Sequence, residues 1–281
     1  MVLTTTSHER DAQGLTYVYA VVSRRSKGVS VGVNLNPNDA CNWRCIYCQV
    51  PNLSRGGAPE IDLERLSREL DGMLRDIVEG DFLDREAPPE ARRLNDVAIS
   101  GNGEPTSSTV FDQVVARIGE ALDAHGLRGK VAPVLITNGS LVHRPVVQRG
   151  LETLAALGGE VWFKLDASGV ERRGLINGVR VSDAQVERNL GIAAGLCPTK
   201  VQTCVFALDG DGPSATQRGA YVAVLKRALE RGAPLRGVLL YGLARPSAQI
   251  EAPRLARLDA QVLEAFADEI RELGLGVSVH A

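Results

Sequence analysis

The segment Cys41-Asn-Trp-Arg-Cys45-Ile-Tyr-Cys48 places three cysteines within eight residues, on the loop that leaves the apolar run 31–35. Three thiolates bind only three irons of a [4Fe–4S] cluster, which normally takes four cysteine ligands. A cluster held here would therefore keep one iron open to another ligand. The segment predicts a reaction site with Cys41, Cys45 and Cys48 as the ligands of one cluster.

This cysteine loop, residues 41–48, resembles the cluster-binding loop of the radical S-adenosylmethionine (radical SAM) enzymes. Their pattern is Cys-x3-Cys-x-aromatic-Cys, and Tyr47 occupies the aromatic position. The resemblance implies an enzyme in which S-adenosylmethionine chelates the open iron through its amino and carboxylate groups. Reductive cleavage would yield methionine and a 5′-deoxyadenosyl radical, which abstracts hydrogen from an unidentified substrate. It also implies a low-potential electron donor, flavodoxin or ferredoxin.

A structural zinc site is the alternative use of these cysteines, because four cysteines, or three with one histidine, also hold zinc at short spacing. Zinc motifs usually bring a second cysteine pair, and none follows here. A fourth ligand would come from scattered residues: His8, His125, His143, His280, Cys197 or Cys204. The spacing favours the cluster, and a zinc-stabilised binding module remains the alternative from a different class.

The composition limits the setting in which the chain works. The 281 residues are 44% hydrophobic and 23% charged, as in globular domains. No apolar run is long enough to span a membrane, and the first residues lack the apolar core of a signal peptide. Five cysteines with three clustered indicate a reducing compartment, so we expect a cytoplasmic protein. A net charge of −2 and 4% aromatic residues argue against a broad nucleic-acid surface.

From residue 31 onward, short apolar segments alternate with stretches of helical period, which is the pattern of βα units and a parallel sheet. Six strands and a possible seventh are predicted at residues 31–35, 96–100, 131–137, 160–165, 200–206, 237–241 and 276–279. Helices are predicted at residues 63–77, 110–124, 145–157, 184–195, 215–231 and 256–273.

Residues 15–35 predict a β-hairpin with a polar turn at 24–28. We expect an N-terminal extension over residues 1–30 and a single domain over residues 31–281. Six βα units are fewer than the eight of a closed barrel. The resemblance implies an α/β fold of the partial (βα)6 TIM-like type, while a doubly wound open sheet also fits the pattern. Both architectures collect ligands at the carboxyl ends of the strands.

The second predicted barrel strand ends in Ser100-Gly-Asn-Gly103-Glu104-Pro-Thr106, where glycines let the backbone approach a ligand closely. In radical SAM enzymes a Gly-Gly-Glu element at this place binds the amino group of the methionine moiety. The resemblance assigns that role to Gly103 and Glu104, although Asn102 stands where the first glycine of the pair often stands. An ordinary Gly/Pro turn is the alternative.

Polar residues also close the next two strands. Thr137-Asn138-Gly139 suits either a cofactor contact at Asn138 or a routine turn. Lys164 and Asp166 alternate with apolar residues and should point to one side of their strand. By resemblance they contact the ribose hydroxyls and carboxylate of S-adenosylmethionine; alternatively they pair with each other. Gln202, Cys204 and Arg245 follow on later strands, where substrate specificity is expected.

Within this family, the sequence most resembles the Fe–S oxidoreductases related to the wyosine-synthesis enzymes, which modify transfer RNA. The resemblance lies in residues 34–49 and in Gly103-Glu-Pro-Thr106. Wyosine enzymes carry a second cluster, bound by cysteines ahead of the motif. This sequence has no cysteine before Cys41. Glycyl-radical activation and the maturation of a peptide or small molecule are alternatives within the same chemistry.

Overall fold

The computed structural model describes residue 3 and residues 14–23 and 28–280. The strands are β1 (Val18–Ser23), β2 (Gly28–Val33), β3 (Ala40–Cys41), β4 (Ser54–Arg55), β5 (Leu94–Ile99), β6 (Ala132–Thr137), β7 (Glu160–Lys164), β8 (Thr199–Val205), β9 (Ala207–Leu208), β10 (Leu235–Gly242), β11 (Leu255–Ala256) and β12 (Val277–His280). The α-helices are α1 (Leu63–Val78), α2 (Phe82–Glu86), α3 (Phe111–Ala124), α4 (Pro145–Ala156), α5 (Val170–Asn177), α6 (Asp183–Leu196), α7 (Ala215–Glu230) and α8 (Ala260–Arg271).

Eight strands form the main sheet, in the order β1-β2-β5-β6-β7-β8-β10-β12. β1 and β2 pair antiparallel from Val18↔Val33 to Ser23↔Gly28, which confirms the hairpin. Most of its predicted turn, residues 24–27, lies outside the described residues. From β2 onward neighbouring strands are parallel. The predicted six βα units and the seventh strand are thus confirmed.

The helices decide between the two predicted architectures. Strand order follows chain order from β2 to β12, with no reversal of the kind that marks a doubly wound sheet. Successive helices also pack against one another, in the series α1, α3, α4, α6, α7 and α8. One layer of helices therefore covers one face of a curled sheet, as in a partial TIM-like barrel.

The core lies between this helix layer and the sheet. Helix α1 begins at the N-cap Asp62, whose side chain accepts from Arg65 N. Its apolar positions three and four residues apart are buried, as predicted: Leu66, Leu70, Met73, Leu74 and Ile77. Buried valines and leucines of the strands, such as Val31, Val33 and Leu135, meet this layer. Across the described residues, no helix has the length and apolarity needed to cross a membrane.

Helix α5 was not predicted. It spans eight residues, Val170–Asn177, between Gly169 at φ 76° and Gly178 at φ 67°. Its sequence, with two adjacent arginines and an internal glycine, lacks a sustained apolar period. The helix is held instead by contacts with distant residues, because the backbone N–H groups of Arg44 and Ile46 donate to Asn177 O and Ile176 O over 3.0 and 2.9 Å.

Candidate active site

A cavity of about 300 Å³ opens at the carboxyl ends of the strands and continues between them into the barrel. Eight of the nine predicted site residues line it: Cys41, Cys45, Tyr47, Cys48, Gly103, Glu104, Asn138 and Lys164. The ninth, Asp166, accepts a hydrogen bond from the Tyr47 hydroxyl. Residues that lie far apart in the sequence are therefore brought together at one mouth.

Two buried asparagines hold the cysteine loop against the turn after β5. Asn34 Oδ1 accepts from Asn36 N and Asn102 N over 3.0 and 3.1 Å, and Asn36 Nδ2 donates to Ala40 O over 2.9 Å. A Cβ atom on Gly103 would lie 2.1 Å from Ala40 O, so only glycine permits this approach. Gly103 thus sets how closely the turn packs beneath Cys41.

The Glu104 carboxylate joins the turns after β5 and β6. It is 2% exposed and accepts from Thr106 N, Thr106 Oγ1, Thr137 Oγ1 and Asn138 N, over 3.1, 2.5, 2.5 and 2.7 Å. Burial raises the pKa of Glu104, and these hydrogen bonds oppose the rise. Glu104 therefore holds the two turns together, which the sequence did not indicate. Its other face borders the cavity.

Asn138 supports the cysteine loop from the end of β6. Its Nδ2 donates to Asn42 Oδ1 over 2.9 Å, and its Oδ1 accepts from Ser140 N and Oγ over 3.0 and 2.7 Å. Asn42 Nδ2 in turn donates to Ser140 Oγ over 2.8 Å. The turn Thr137-Asn138-Gly139 is thus part of the loop's support.

Asp166 connects the cysteine loop to β8 and α5. Its Oδ1 accepts from Cys204 N over 3.0 Å, and its Oδ2 accepts from the Tyr47 hydroxyl and from Asn177 Nδ2, the latter over 2.9 Å. Asn177 Nδ2 also lies 3.3 Å from Cys45 Sγ. These contacts fix the positions of Tyr47 and Cys45 relative to the strand ends.

Lys164 places a cation beside the cavity. Its Nζ lies 5.0 Å from the centre of the Tyr47 ring and donates to Tyr241 Oη over 3.1 Å. Burial alone would lower the pKa of Lys164, but the neighbouring Asp166 and Tyr241 raise it overall, so the ammonium stays charged. Lys164 and Asp166 act on each other electrostatically, yet each directs its hydrogen bonds to other partners.

The thiols themselves are partly buried. Burial raises the pKa of Cys41 to about 11 and that of Cys45 to about 12. Both are therefore neutral at pH 7 unless a cation replaces the proton. Among the described residues, no three His, Cys, Asp or Glu side chains are grouped closely enough to hold one metal ion.

A segment after β10 covers the outer side of the cysteine loop; we call residues 247–251 the strap. Ser247 Oγ donates to Ile46 O over 2.7 Å and to Cys48 O over 3.1 Å. Ala248 N and Gln249 Nε2 donate to Cys48 O and Val50 O, each over 2.9 Å. The strap therefore fixes the backbone on either side of Cys48.

Several of these supporting residues were missed by sequence reasoning. Asn34 and Asn36 lie in the stretch that carries the family resemblance, so buried amides just before the cysteine loop could have been noticed. Asn177 and the strap residues gave no signal, because they lie in ordinary polar stretches more than a hundred residues away.

Comparison with solved structures supports the fold through a structure with a TM-score above 0.5. A radical SAM methyltransferase from Sphaerobacter thermophilus is 16% identical, with a TM-score of 0.57 over 94% of this chain and 69% of that chain. Coproporphyrinogen III oxidase (HemN) from Escherichia coli, described as a radical SAM enzyme, is 14% identical, with a TM-score of 0.48 over 86% of this chain and 51% of that chain.

The sequence comparisons are weaker. No family model matches the chain. Over 134 residues, 47% of this chain, the sequence is 26% identical to the GTPase Obg of Brachyspira hyodysenteriae, of which this stretch covers 16%. The sequence contains no Gly-x4-Gly-Lys-Ser/Thr motif, the usual phosphate-binding loop of such proteins. Structure is therefore the stronger comparison, and the chain shares the partial-barrel fold of a radical SAM methyltransferase.

Proposed function

We propose that this protein is a radical SAM enzyme whose Cys41, Cys45 and Cys48 hold a [4Fe–4S] cluster. One observation carries the proposal: the three thiols of a Cys-x3-Cys-x-Tyr-Cys loop border a single cavity at the carboxyl ends of a partial barrel. When bound there, the cluster and S-adenosylmethionine would supply a 5′-deoxyadenosyl radical for hydrogen abstraction from a substrate.

The donor set suits a cluster better than a single ion. In a cluster each cysteine binds a different iron, so the three thiols stand apart around its corners. A zinc ion needs its ligands to converge on one point. The three thiols all border the cavity, and the sequence offers no second cysteine pair of the kind that zinc motifs usually bring.

The other residues of the cavity have distinct roles in this proposal. Gly103 and the outward face of Glu104 would bind the amino end of S-adenosylmethionine, since both border the cavity next to Cys41. Lys164 carries a positive charge that suits the carboxylate of S-adenosylmethionine. Asn138 and Asp166 would act through their bonds to Asn42 and Tyr47, by holding the cysteine loop in place.

Anaerobic reconstitution with iron and sulfide tests the proposal. The wild-type protein should bind about four irons per chain and release 5′-deoxyadenosine when given dithionite and S-adenosylmethionine. Cys45→Ala should lose both properties, whereas Cys197→Ala, on a buried thiol outside the cavity, should keep both. A colourless wild-type protein that binds one zinc, or unchanged 5′-deoxyadenosine release by Cys45→Ala, would contradict the proposal.

We also propose a low-potential flavodoxin or ferredoxin as the physiological reductant. The proposal is supported only by the chemistry, because a one-electron donor is required for each cleavage. Replacing dithionite with reduced flavodoxin or ferredoxin should sustain 5′-deoxyadenosine release. Failure of both proteins alongside success of dithionite would contradict this part.

A further inference from the structure

The cavity extends from the thiols down into the lumen of the barrel. Val21 of β1, Ala98 of β5, Ile136 of β6, Trp162 of β7 and Gln202 of β8 border this deeper part. Cys204, which packs with Cys45, and Gln202 lie on the same face of β8 because side chains alternate along a strand. At roughly 3.3 Å per residue, Gln202 lies about 7 Å deeper than Cys204.

The Gln202 side chain has no hydrogen-bond partner among the described residues. The residue is 2% exposed, yet its carboxamide makes no hydrogen bond with any residue that the structure describes. Every other buried polar side chain in the described part of the chain has at least one. The next residue shows the contrast: Thr203 Oγ1 lies 2.8 Å from Leu165 O, to which it donates, and 2.6 Å from Tyr221 Oη. Gln202 also borders the cavity, so its amide faces the lumen without a partner among the described residues.

The neighbours of Gln202 do not provide a partner. Its register neighbours are Lys164 on β7 and Leu239 on β10. The Lys164 ammonium donates to Tyr241 Oη, and an ammonium has no acceptor for the amide N–H groups. Trp162 Nε1 donates to Glu160 Oε1 over 2.6 Å. A molecule bound in the lumen can therefore supply the hydrogen-bond donor and acceptor that the described residues do not offer to the Gln202 carboxamide.

We propose that Gln202 recognises a small molecule in the lumen that presents an amide-like edge, with one hydrogen-bond donor beside one acceptor. A carboxamide displays the same pair in the opposite order, so the two edges pair through two hydrogen bonds. Carboxamides, lactams and protonated carboxylic acids share this chemistry. The apolar walls formed by Val21, Ile136 and Trp162 suit the carbon frame of such a molecule.

The inference rests on the proposed function for one point, namely that this molecule is the substrate. A radical formed at the cysteine loop can act only on a C–H bond that touches it, and the lumen is the enclosed space directly below. Gln202 would thus determine specificity through binding.

A binding experiment tests the recognition. Benzamide, which has an amide edge, and acetophenone, which lacks the donor, are titrated into the full chain by ligand-observed NMR. The wild-type protein should bind benzamide about tenfold more tightly than acetophenone, and Gln202→Met should abolish this preference. Equal binding of the two probes to the wild-type protein, or an unchanged preference in Gln202→Met, would overturn the proposal.

Thermal unfolding separates recognition from a structural role. Without ligand, Gln202→Met should not lower the Tm, because a side chain of similar shape replaces an amide that makes no hydrogen bond with the described residues. The matched variant Thr203→Val, on the opposite face of the same strand, should lower the Tm because it removes two hydrogen bonds. A fall in the Tm of Gln202→Met like that of Thr203→Val would show that Gln202 is structural.

The two proposals fail separately. Benzamide selectivity without 5′-deoxyadenosine release from the wild-type protein would remove the proposed function and leave the lumen as a binding site. Release of 5′-deoxyadenosine without benzamide selectivity would leave the proposed function and remove this inference.

Discussion

At the residue scale, two buried glutamates use their carboxylates to organise backbone. Glu104 accepts from the turns after β5 and β6, as described above. Glu69 of α1 accepts from the backbone N–H groups of Thr16 and Tyr17 over 3.0 and 2.7 Å, and from Arg65 Nε over 2.8 Å. It thereby ties the start of the hairpin to the first helix of the barrel. Each glutamate thus replaces several solvent hydrogen bonds with fixed ones.

The Glu69 contacts predict a pH-dependent stability. Burial alone would raise the pKa of Glu69, but its hydrogen bonds lower it below the ordinary value of 4.5. A lowered pKa stabilises the fold above pH 4.5, and this contribution is lost as the pH falls through the pKa of the folded state. Glu69→Gln should therefore lose about 1–3 kcal/mol at pH 7 by urea denaturation.

The same measurement at acid pH provides the check. As the pH falls below 4.5, the stability difference between wild type and Glu69→Gln should shrink. Glu90→Gln, at an exposed position, should match the wild type throughout. A gap between wild type and Glu69→Gln that stays constant down to pH 3 would contradict this account.

At the element scale, the turn after β5 packs closely against the cysteine loop because Gly103 has no side chain. Gly103→Ala would place a methyl group 2.1 Å from Ala40 O, which is backbone and cannot rotate away. We expect Gly103→Ala to lose about 1–3 kcal/mol of stability and to bind less iron per chain after reconstitution. Iron analysis and chemical denaturation measure the two effects.

Gly72→Ala serves as the matched control, because a Cβ atom at this position of α1 meets nothing within 4 Å. The control should gain about 0.5–1 kcal/mol, since alanine favours a helix over glycine, and should bind iron as the wild type does. Normal iron binding and stability in Gly103→Ala would show that the turn has room to move.

At the scale of the whole molecule, local patterns predicted the elements and their order but not the contacts across the mouth. Alternating apolar segments and helical periods are properties of neighbouring residues, so the parallel strands of the main sheet were predictable. The two-residue strands and helix α5 were not, because they carry no such pattern. The cysteine loop meets Asn177 and the strap only after the chain has turned through the barrel. Such contacts leave no periodic signal in the sequence. That Gln202 has no hydrogen-bond partner among the described residues is likewise visible only when its neighbours are known.

The contacts across the mouth also connect loops that follow strands near the two open edges of the sheet. β1 and β12 are the outer strands of the sheet, yet the cysteine loop after β2 reaches the strap after β10. Arg44 Nη1 and Nη2 also bind Glu251 Oε1 and Oε2 over 2.8 and 3.0 Å. The loop that carries the thiols is therefore held from both sides of the barrel, so its rigidity depends on the strap.

Removing the hydrogen bonds that the Ser247 and Gln249 side chains donate should loosen the cysteine loop. In the double variant Ser247→Ala, Gln249→Ala, amide hydrogen exchange at Ile46 and Cys48 should be about tenfold faster, since each lost bond contributes roughly 1 kcal/mol at most. Lys226→Ala, which removes an exposed contact with Glu230 at 4.0 Å, should leave exchange unchanged. Equal exchange of the cysteine loop in the double variant and the wild type would mean that the side chains of Ser247 and Gln249 are not needed to hold the loop.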